Sequence, residues 1–445
     1  MQRRSFLAGT AALGLAAPAT IHAQGTGRTT IEFWYGLGGA LGERVAEQVK
    51  RFNESQSRFT VNGSFKGSYV DVLTGAIAAW RAGTPPHIGQ VFEVGTATMM
   101  AAGPAIRPTH QLLAEAGIEL DPKRYLAGVR GYYSDIQGRL VSMPHNSSSA
   151  VMWLNLDAFE KAGLSTTDLP RSWKQVRAAA ERIKAANAAP AAITTAWPTW
   201  VMFEQMAAMH DVPFATKANG FEGMDAELRL TGEFFRKHTD FLLNLQKDGL
   251  FKYAGRDAAG GNLFPAGEAA ISFNSSAGRA QVAREAKFKW ASVPLPYHDD
   301  VTTAPKNGVI GGASLWTFSA RNRTPEEYRG VAEFYRFISE VEQDLWWHQA
   351  TGYVPITGAA FERARAEGYY AQNPGADAAI VQLSRAEPTP NSMGFRLGGF
   401  VEIRNIIQEE LEKGFQGQQG AEPALDSANR RGNVVLRNFE RANKA

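Results

Sequence analysis

Strand-like and helix-like segments alternate along the first quarter of the chain, and this alternation limits the fold more than any other feature. Residues 29–35 (TTIEFWY) and 59–65 (FTVNGSF) are rich in β-branched and aromatic residues, which is typical of strands. Between them, apolar residues recur with helical spacing at Leu41, Val45, Val49 and Phe52. Repeated strand–helix units predict an α/β fold with a parallel sheet and crossover helices.

Two polar residues follow strands of this predicted sheet. Tyr69 comes just after the second strand, and Glu93 ends the third strand, HIGQVFE. In open sheets, ligands bind beyond the carboxyl ends of the strands, so both residues are candidates for a binding site. Each also has an ordinary explanation: Tyr69 as a half-buried helix residue, and Glu93 as a carboxylate that favours a helix N-terminus.

Residues 131–163 form the stretch around which the rest of the chain is organised. Gly138 is predicted to lie in the turn of a hairpin, and the polar residues 146–149 (NSSS) lead into the apolar run AVMWLN. Small polar groups beside a buried strand need hydrogen-bond partners. We therefore expect a ligand where one structural unit passes into the next. Asp157 and Glu160 have the spacing of a capping box for the following helix.

Later segments repeat these signals. Ser275 and Ser276 lie at another strand-to-helix junction, where hydroxyls and backbone N–H groups together suit an anion. A glycine pair that includes Gly312 interrupts a strand and predicts close approach of a backbone or a ligand. Trp197 and Trp200 flank a proline; such residues usually belong to a core, but on a loop they form an apolar wall for a ligand.

Capping-box spacing predicts three further helix starts. In each, a small polar residue precedes Glu or Gln by three positions. The pairs are Ser172–Gln175, Thr324–Glu327 and Ser339–Glu342. The second pair also has proline at the first helical position, which is a further start signal.

The N-terminus predicts export. Residues 1–23 carry two arginines before an apolar, alanine-rich run, the pattern of a twin-arginine signal peptide; a buried helix is the alternative. The run is too short for a comfortable membrane span. The formal charge is +3, and loss of Arg3 and Arg4 lowers it by two to +1, which does not suggest a nucleic-acid partner. Because the chain contains no cysteine, no disulfide, lipid anchor or thiolate metal site is expected.

Motifs of catalysis and cofactor binding are missing from the sequence. The eight histidines are scattered without metal-ligand spacing, and no P-loop or G-x-S-x-G motif is present. The glycine-rich turn at residues 36–42 carries Leu41 where a dinucleotide fingerprint needs glycine, so a turn at a cleft rim explains it better. We predict no catalytic residue, metal or cofactor, although a triad assembled from distant positions stays an alternative.

Several fragments together closely resemble the periplasmic sn-glycerol-3-phosphate-binding proteins of ABC importers, within extracytoplasmic solute-binding protein family 1. The fragments include KGSYVDVL, QVFEVGTATMMA, GYYSDIQG, LNLDAFEKAGL, GVIGGASLW, HQATGYVPIT and EIRNIIQEELE. The resemblance runs from about Thr29 to the C-terminus. It implies a two-lobed periplasmic-binding-protein fold of type II, with the ligand cleft between the lobes. On that pattern, lobe 1 comprises residues 28–148 and 295–320, and lobe 2 comprises residues 149–294 and 321–445.

The same resemblance implies a set of ligand-binding residues. Tyr69 and Glu93 match positions that hold the glycerol hydroxyls. The positions that match the phosphate ligands are Ser148, Ser275, Gly312, Tyr353 and Arg404. Trp197 and Trp200 match the cleft wall. The implied ligand is sn-glycerol-3-phosphate or a diester such as glycerophosphocholine, and the implied partners are the transmembrane subunits of an ABC permease.

The predicted function is therefore capture of a solute for transport by a periplasmic, monomeric, non-enzymatic protein. A sugar-binding protein of the same fold is the first alternative, although sugar sites rely more on aromatic stacking and carboxylates. A periplasmic phosphodiesterase is the second, and it would require a metal or a nucleophile.

Overall fold

The computed structural model describes residues 27–444, and the predicted signal peptide lies outside this range. The described chain forms two β-sheets covered by helices, which confirms the α/β class. The strands are β1 (Thr29–Tyr35), β2 (Phe59–Phe65), β3 (Ile88–Phe92), β4 (Ile106–Arg107), β5 (Met143–Ser148), β6 (Ala150–Asn155), β7 (Ala191–Thr195), β8 (Phe251–Lys252), β9 (Ala269–Ser275), β10 (Trp290–Pro294) and β11 (Gly311–Phe318). The predicted bounds of β1 and β2 are confirmed.

Helices connect and cover these strands. They are α1 (Gly39–Ser55), α2 (Tyr69–Arg81), α3 (Thr96–Ala101), α4 (Thr109–Glu115), α5 (Ala127–Tyr133), α6 (Leu156–Lys161), α7 (Trp173–Ala185), α8 (Gln205–Met209), α9 (Thr216–Gly220), α10 (Glu233–Lys247), α11 (Arg279–Glu285), α12 (Pro325–Ile338), α13 (Val341–Thr351), α14 (Gly358–Ala366), α15 (Tyr369–Gln372), α16 (Ala378–Leu383), α17 (Phe400–Phe415) and α18 (Ala421–Asn443). Within residues 27–444, none of them combines the length and the apolar character that crossing a bilayer requires.

Each sheet is the centre of one lobe. The first sheet has the order β2–β1–β3–β11–β4, with β5 also paired to β11, and its β1, β2 and β3 run parallel, as the strand–helix alternation predicts. The second sheet has the order β10–β6–β9–β7–β8. Only Ser149 separates β5 from β6, so the chain passes from one sheet to the other at a single residue. It returns to the first sheet between β10 and β11.

Helices α12 and α13 pack on the first sheet, and this differs from the predicted lobe division. Phe334 of α12 contacts Phe33 of β1 and Phe52 of α1, with ring centroids 5.9 and 5.2 Å apart. Trp347 of α13 packs against His145 of β5 at 4.8 Å. Because their apolar faces cover the first sheet, we place both helices in lobe 1, whereas the family resemblance implied that all of residues 321–445 belong to lobe 2.

The predicted helix starts have mixed outcomes. Ser172 and Thr324 cap α7 and α12 with complete capping boxes, so both predictions are confirmed. The other two are wrong. Asn155 caps α6 by accepting from the N–H of Ala158 at 3.0 Å, in place of Asp157. Ser339 ends α12, and α13 begins after Glu340.

The predicted turn at Gly138 is confirmed, since the N–H of Gly138 bonds to the carbonyl of Asp135 at 3.0 Å, but the two-stranded hairpin predicted around it does not form. Its first arm is helical, because α5 extends to Tyr133. What remains is a turn closed by a single bridge between Ser134 and Leu140. Asp135 stabilises this turn by accepting from the N–H groups of Gln137 and Arg139.

Candidate ligand-binding cleft

A cavity of about 490 Å³ lies between the two lobes. Its lining includes every residue that the resemblance assigned to the ligand: Tyr69, Glu93, Ser148, Trp197, Trp200, Ser275, Gly312, Tyr353 and Arg404. These residues come from both sheets and from helices of both lobes, so the cavity exists because the lobes meet. Its volume lies in the range of about 300–1,000 Å³ that small-molecule sites occupy.

Hydroxyl groups gather where the chain crosses between the lobes. Ser148 is the last residue of β5, opposite Gly311 of β11, and Ser275 is the last residue of β9, opposite Ala150 of β6. The Ser275 hydroxyl accepts from the N–H of Ala277 at 3.2 Å. Because that bond uses an oxygen lone pair, the hydroxyl proton stays available to an anionic ligand.

Tyr69 and Tyr353 add two phenols to this hydroxyl cluster. Tyr69 begins α2, its ring stacks on Phe92 with centroids 5.5 Å apart, and its hydroxyl accepts from the Asn146 amide at 2.8 Å. Burial raises the pKa of Tyr69 well above its ordinary value and raises the pKa of Tyr353 to about 12. Both phenols are protonated at neutral pH, as an ordinary tyrosine is, and can act as donors.

A buried network of amide side chains holds the Tyr69 hydroxyl through Asn146. Asn146 accepts from the Gln90 amide at 3.0 Å, and Gln90 in turn accepts from the N–H of Gly36 at 3.0 Å. His145 hydrogen bonds to Gln48 of α1 at 2.7 Å. The polar run at residues 146–149 thus finds partners at Asn146, and the network ties the tyrosine to the glycine-rich turn on the cavity wall.

Gly312 allows β11 and β5 to approach closely. Its φ angle is +95°, and an added Cβ would lie 1.9 Å from the carbonyl oxygen of Asn146. The predicted close backbone approach at this glycine is confirmed. Because Asn146 also holds Tyr69, a shift of β5 would reach the cavity.

We expect Gly312→Ala to lower the free energy of unfolding by roughly 2–5 kcal/mol, because backbone strain and a steric clash add. Ligand affinity should fall as well. Gly138→Ala is the matched control, since Gly138 has a φ of +77° and no atom within 4 Å of an added Cβ. It should cost only the conformational part, about 1–2 kcal/mol. Urea denaturation of both variants measures the difference, and equal losses would contradict the clash.

Two tryptophans form the apolar wall on irregular backbone. Trp197 has a φ angle of +52°, which is unusual for a bulky residue. Trp200 begins a π-helical turn (Trp200–Glu204), and its ring lies so close to Gly311 that a Cβ there would be 2.4 Å away. Strained φ values and π-turns are both concentrated at functional sites.

Arg404 lies between two carboxylates. Its Nε and Nη2 donate to the two oxygens of Glu204, each at 2.7 Å, and Nη2 also donates to Glu93 at 2.6 Å. Arg404, Glu93 and Glu204 are 8%, 4% and 1% exposed. Burial lowers the pKa of Arg404, but the two carboxylates outweigh this and raise it. Burial raises the pKa of Glu93.

Sequence reasoning missed several parts of the cleft. Glu204 has no motif, and its partner Arg404 lies far along the chain. Further cavity residues that were not predicted are Asn262, Asn274, Gln281, Arg284 and Glu285. Leu37–Leu41 also line the cavity, and they belong to the glycine-rich turn that the sequence had indicated as a cleft rim. Across the rim, Arg284 of α11 lies 3.9 Å from Glu43 of α1. No group of three or more His, Asp or Glu residues in the described part of the chain is arranged to hold a metal.

Comparison with known families and curated proteins gives consistent results. Residues 38–344 match the family described as bacterial extracellular solute-binding protein. The chain is 41% identical to the sn-glycerol-3-phosphate-binding periplasmic protein UgpB of Rhizobium meliloti, over 93% of this chain and 95% of the relative. It is 40% identical to the protein of the same name from Salmonella typhimurium, over 98% of each chain.

Solved structures show the same fold. UgpB from Mycobacterium tuberculosis, in complex with glycerophosphocholine, superposes with a TM-score of 0.78 at 20% identity, covering 93% of this chain and 99% of that one. Maltose-bound MalE3 of T. maritima superposes with a TM-score of 0.74 at 16% identity, covering 92% and 100%. The two-lobed binding-protein fold is thus confirmed.

Proposed function

The chain belongs to the family of bacterial extracellular solute-binding proteins, and we propose that it captures sn-glycerol-3-phosphate or a glycerophosphodiester and delivers it to an ABC permease. It is a periplasmic binding protein and not an enzyme. The relatives with which it shares about 40% of its residues are likewise named as binding proteins. The observation that carries the choice of ligand is that all nine predicted ligand residues line one interlobe cavity. The monomeric state stays a prediction.

We place the phosphate at the hydroxyl cluster. Ser148, Ser275, Tyr69 and Tyr353 supply neutral hydroxyl donors there. Neutral donors hold a phosphate without a buried cation that would itself need a partner. The phenols suit this role because a tyrosine is protonated at neutral pH, and burial raises the pKa of both and so opposes ionisation further.

We place the glycerol hydroxyls at Glu93 and Arg404. The cluster of Arg404, Glu93 and Glu204 holds one positive and two negative charges, a net charge of −1. A cluster with net negative charge accepts hydrogen bonds from hydroxyls more readily than it receives a phosphate. Together these placements put Arg404 at the polyol end of the ligand and Tyr69 at the phosphate end, whereas the resemblance implied the opposite end for each of the two residues.

The outer part of the cavity supports the inclusion of diesters. Its wall continues past the hydroxyl cluster to the Leu37–Leu41 turn on one side and to Gln281 and Arg284 of α11 on the other. A second alcohol on the phosphate would extend into this space.

Titration calorimetry of the mature protein tests the proposal with three ligands: sn-glycerol-3-phosphate, glycerophosphocholine and maltose. We expect micromolar or tighter binding of at least one of the two phosphates and no binding of maltose. Comparison of the two phosphates ranks the monoester against the diester. Binding of maltose alone would contradict the proposal and favour a sugar-binding protein of the same fold.

A further inference from the structure

We infer that Glu204 is a positioning residue: it holds the Arg404 guanidinium in the one orientation that joins the two lobes and serves the ligand. Glu204 does not line the cavity, and no sequence motif marks it. The inference rests on the proposed function for its affinity readout, but its geometric part stands on the contacts of Arg404 alone.

The contact between Glu204 and Arg404 fixes the plane of the guanidinium. Two parallel hydrogen bonds of 2.7 Å join the side edge of the guanidinium, Nε and Nη2, to both carboxylate oxygens. Such paired, charge-assisted bonds impose geometry as well as attraction. With Glu204 only 1% exposed, water does not compete for this contact.

The fixed guanidinium then reaches the other lobe. Arg404 lies on α17 and Glu204 on the turn after β7, and both belong to the lobe of the second sheet. Glu93 follows β3 of the first sheet. The 2.6 Å bond from Nη2 to Glu93 therefore crosses the cleft, and it forms only when the lobes are close. The remaining nitrogen, Nη1, hydrogen bonds to no residue in the range 27–444, and Arg404 lines the cavity.

The backbone around Glu204 is built for this placement. The π-helical turn spans Trp200–Glu204, and the N–H of Gln205 bonds to the carbonyl of Trp200, five residues earlier. This widened turn aims Trp200 into the cavity and Glu204 at Arg404 from one short segment. An ordinary helical turn would rotate the two side chains differently relative to each other.

The charge of Glu204 and its positioning role predict opposite effects on an anionic ligand. Neutralising Glu204 removes a negative charge near the site, which by itself favours binding of an anion. Loss of the fixed orientation disfavours binding, because the ligand and Glu93 then meet a mobile guanidinium. The sign of the change in affinity therefore distinguishes an effect of the Glu204 charge from an effect of its positioning role.

The experiment compares Glu204→Gln, Glu204→Asp and Glu410→Gln with the wild type by titration with sn-glycerol-3-phosphate. Glu410 is the matched control, because it is a carboxylate of α17 that is only 2% exposed and bonded to Arg431 at 2.7 Å, but it lies outside the cavity lining. We expect at least a tenfold loss of affinity for Glu204→Gln, from the lost charge-assisted pair. Glu204→Asp keeps the charge but not the reach, and should lose less. Glu410→Gln should bind like the wild type.

Unchanged or tighter binding by Glu204→Gln, or an equal loss for Glu410→Gln, would overturn the inference. If Glu204→Gln does not fold, Glu204→Asp decides, and wild-type affinity in that variant would overturn it. A second readout needs no ligand: in arginine-labelled protein, the Nε–H signal of Arg404, assigned with Arg404→Lys, should exchange slowly in the wild type and rapidly in Glu204→Gln. If the wild type fails to bind the phosphate, the proposed function fails, and this signal still decides the role of Glu204.

Discussion

Replacing Arg404 by alanine should destabilise the protein by roughly 3–5 kcal/mol, because removal of one member of a buried ion cluster leaves uncompensated charge. In this cluster, Glu93 and Glu204 would face each other without a cation between them. Urea denaturation at pH 7 measures the loss. The deficit relative to wild type should shrink at lower pH, because the pKa of Glu93 is already raised by burial and would rise further without Arg404.

Arg256→Ala is the matched control for this variant. Arg256 also forms two bonds to one carboxylate, that of Glu412, but its side chain is 36% exposed and that of its partner is 24% exposed. Water replaces much of such a contact, so we expect a loss of about 1 kcal/mol or less. Equal losses in the two variants would show that the Arg404 cluster is not effectively buried.

Ligand affinity should also fall more when a buried arginine is replaced than when an exposed one is replaced. For Arg404→Ala we expect a loss of about 2–5 kcal/mol in the affinity for sn-glycerol-3-phosphate, because the site loses both its donor and the bridge to Glu93. Arg284→Ala is informative beside it, since Arg284 lines the outer rim and its side chain is 51% exposed. It should leave the monoester affinity nearly unchanged. The reverse ranking would contradict the placement of the polyol.

Capping signals in the sequence were reliable where the predicted residue is itself the last non-helical residue before the helix. The capping box of Ser172 and Gln175 formed as predicted, with the Ser172 hydroxyl accepting from the N–H of Gln175 and the Gln175 side chain accepting from the N–H of Ser172. The prediction at Asp157 failed because Asn155, at the end of β6, supplies the capping oxygen two residues earlier. The prediction at Ser339 failed because this residue ends α12 with helical backbone angles, and α13 begins only after Glu340.

The periodicity of a sequence does not show which distant residues a helix or strand will contact. The apolar face of α12 indicates burial but not which sheet it covers, so the lobe assignment of this helix required the contact of Phe334 with β1. Likewise, Glu204 reads as one more helical carboxylate until α17 brings Arg404 against it. The ligand residues themselves came from family resemblance, and the structure adds how their charges are distributed among partners.

Acidification should destabilise the protein through its buried histidines. Burial lowers the pKa of four histidines to about 4, namely His145, His210, His298 and His348. In the unfolded chain these histidines take up protons near pH 6.5, whereas in the folded chain they do so only near pH 4. Stability is therefore complete above pH 6.5 and decreases as the pH falls from 6.5 to 4, by on the order of 1–2 kcal/mol per histidine at pH 5. Asp344 opposes this trend, because burial raises its pKa to about 6 and the folded state then binds an extra proton below that pH.

The geometry around His210 explains why protonation is costly there. Its Nδ1 donates to the carbonyl of Met206 at 2.8 Å, and its Nε2 accepts from the N–H of His298 at 2.9 Å. A proton on Nε2 would face that N–H and break the bond. His238 contacts His298 at 2.9 Å, while the paired Lys237 and Asp300 lie at the edge of the cluster.

Urea denaturation at pH 8, 7, 6 and 5 measures the effect of acid on this cluster. We expect nearly constant stability between pH 8 and 7, where the histidines are neutral in both states, and a steep decrease below pH 6.5. His210→Gln keeps an acceptor near the position of Nε2 but cannot be protonated in this range. It should start less stable at pH 7 and lose less on acidification than the wild type. An identical loss would place the acid sensitivity elsewhere, at His145 beneath Tyr69 or at His348, whose Nδ1 donates to the carbonyl of Tyr353 at 2.6 Å.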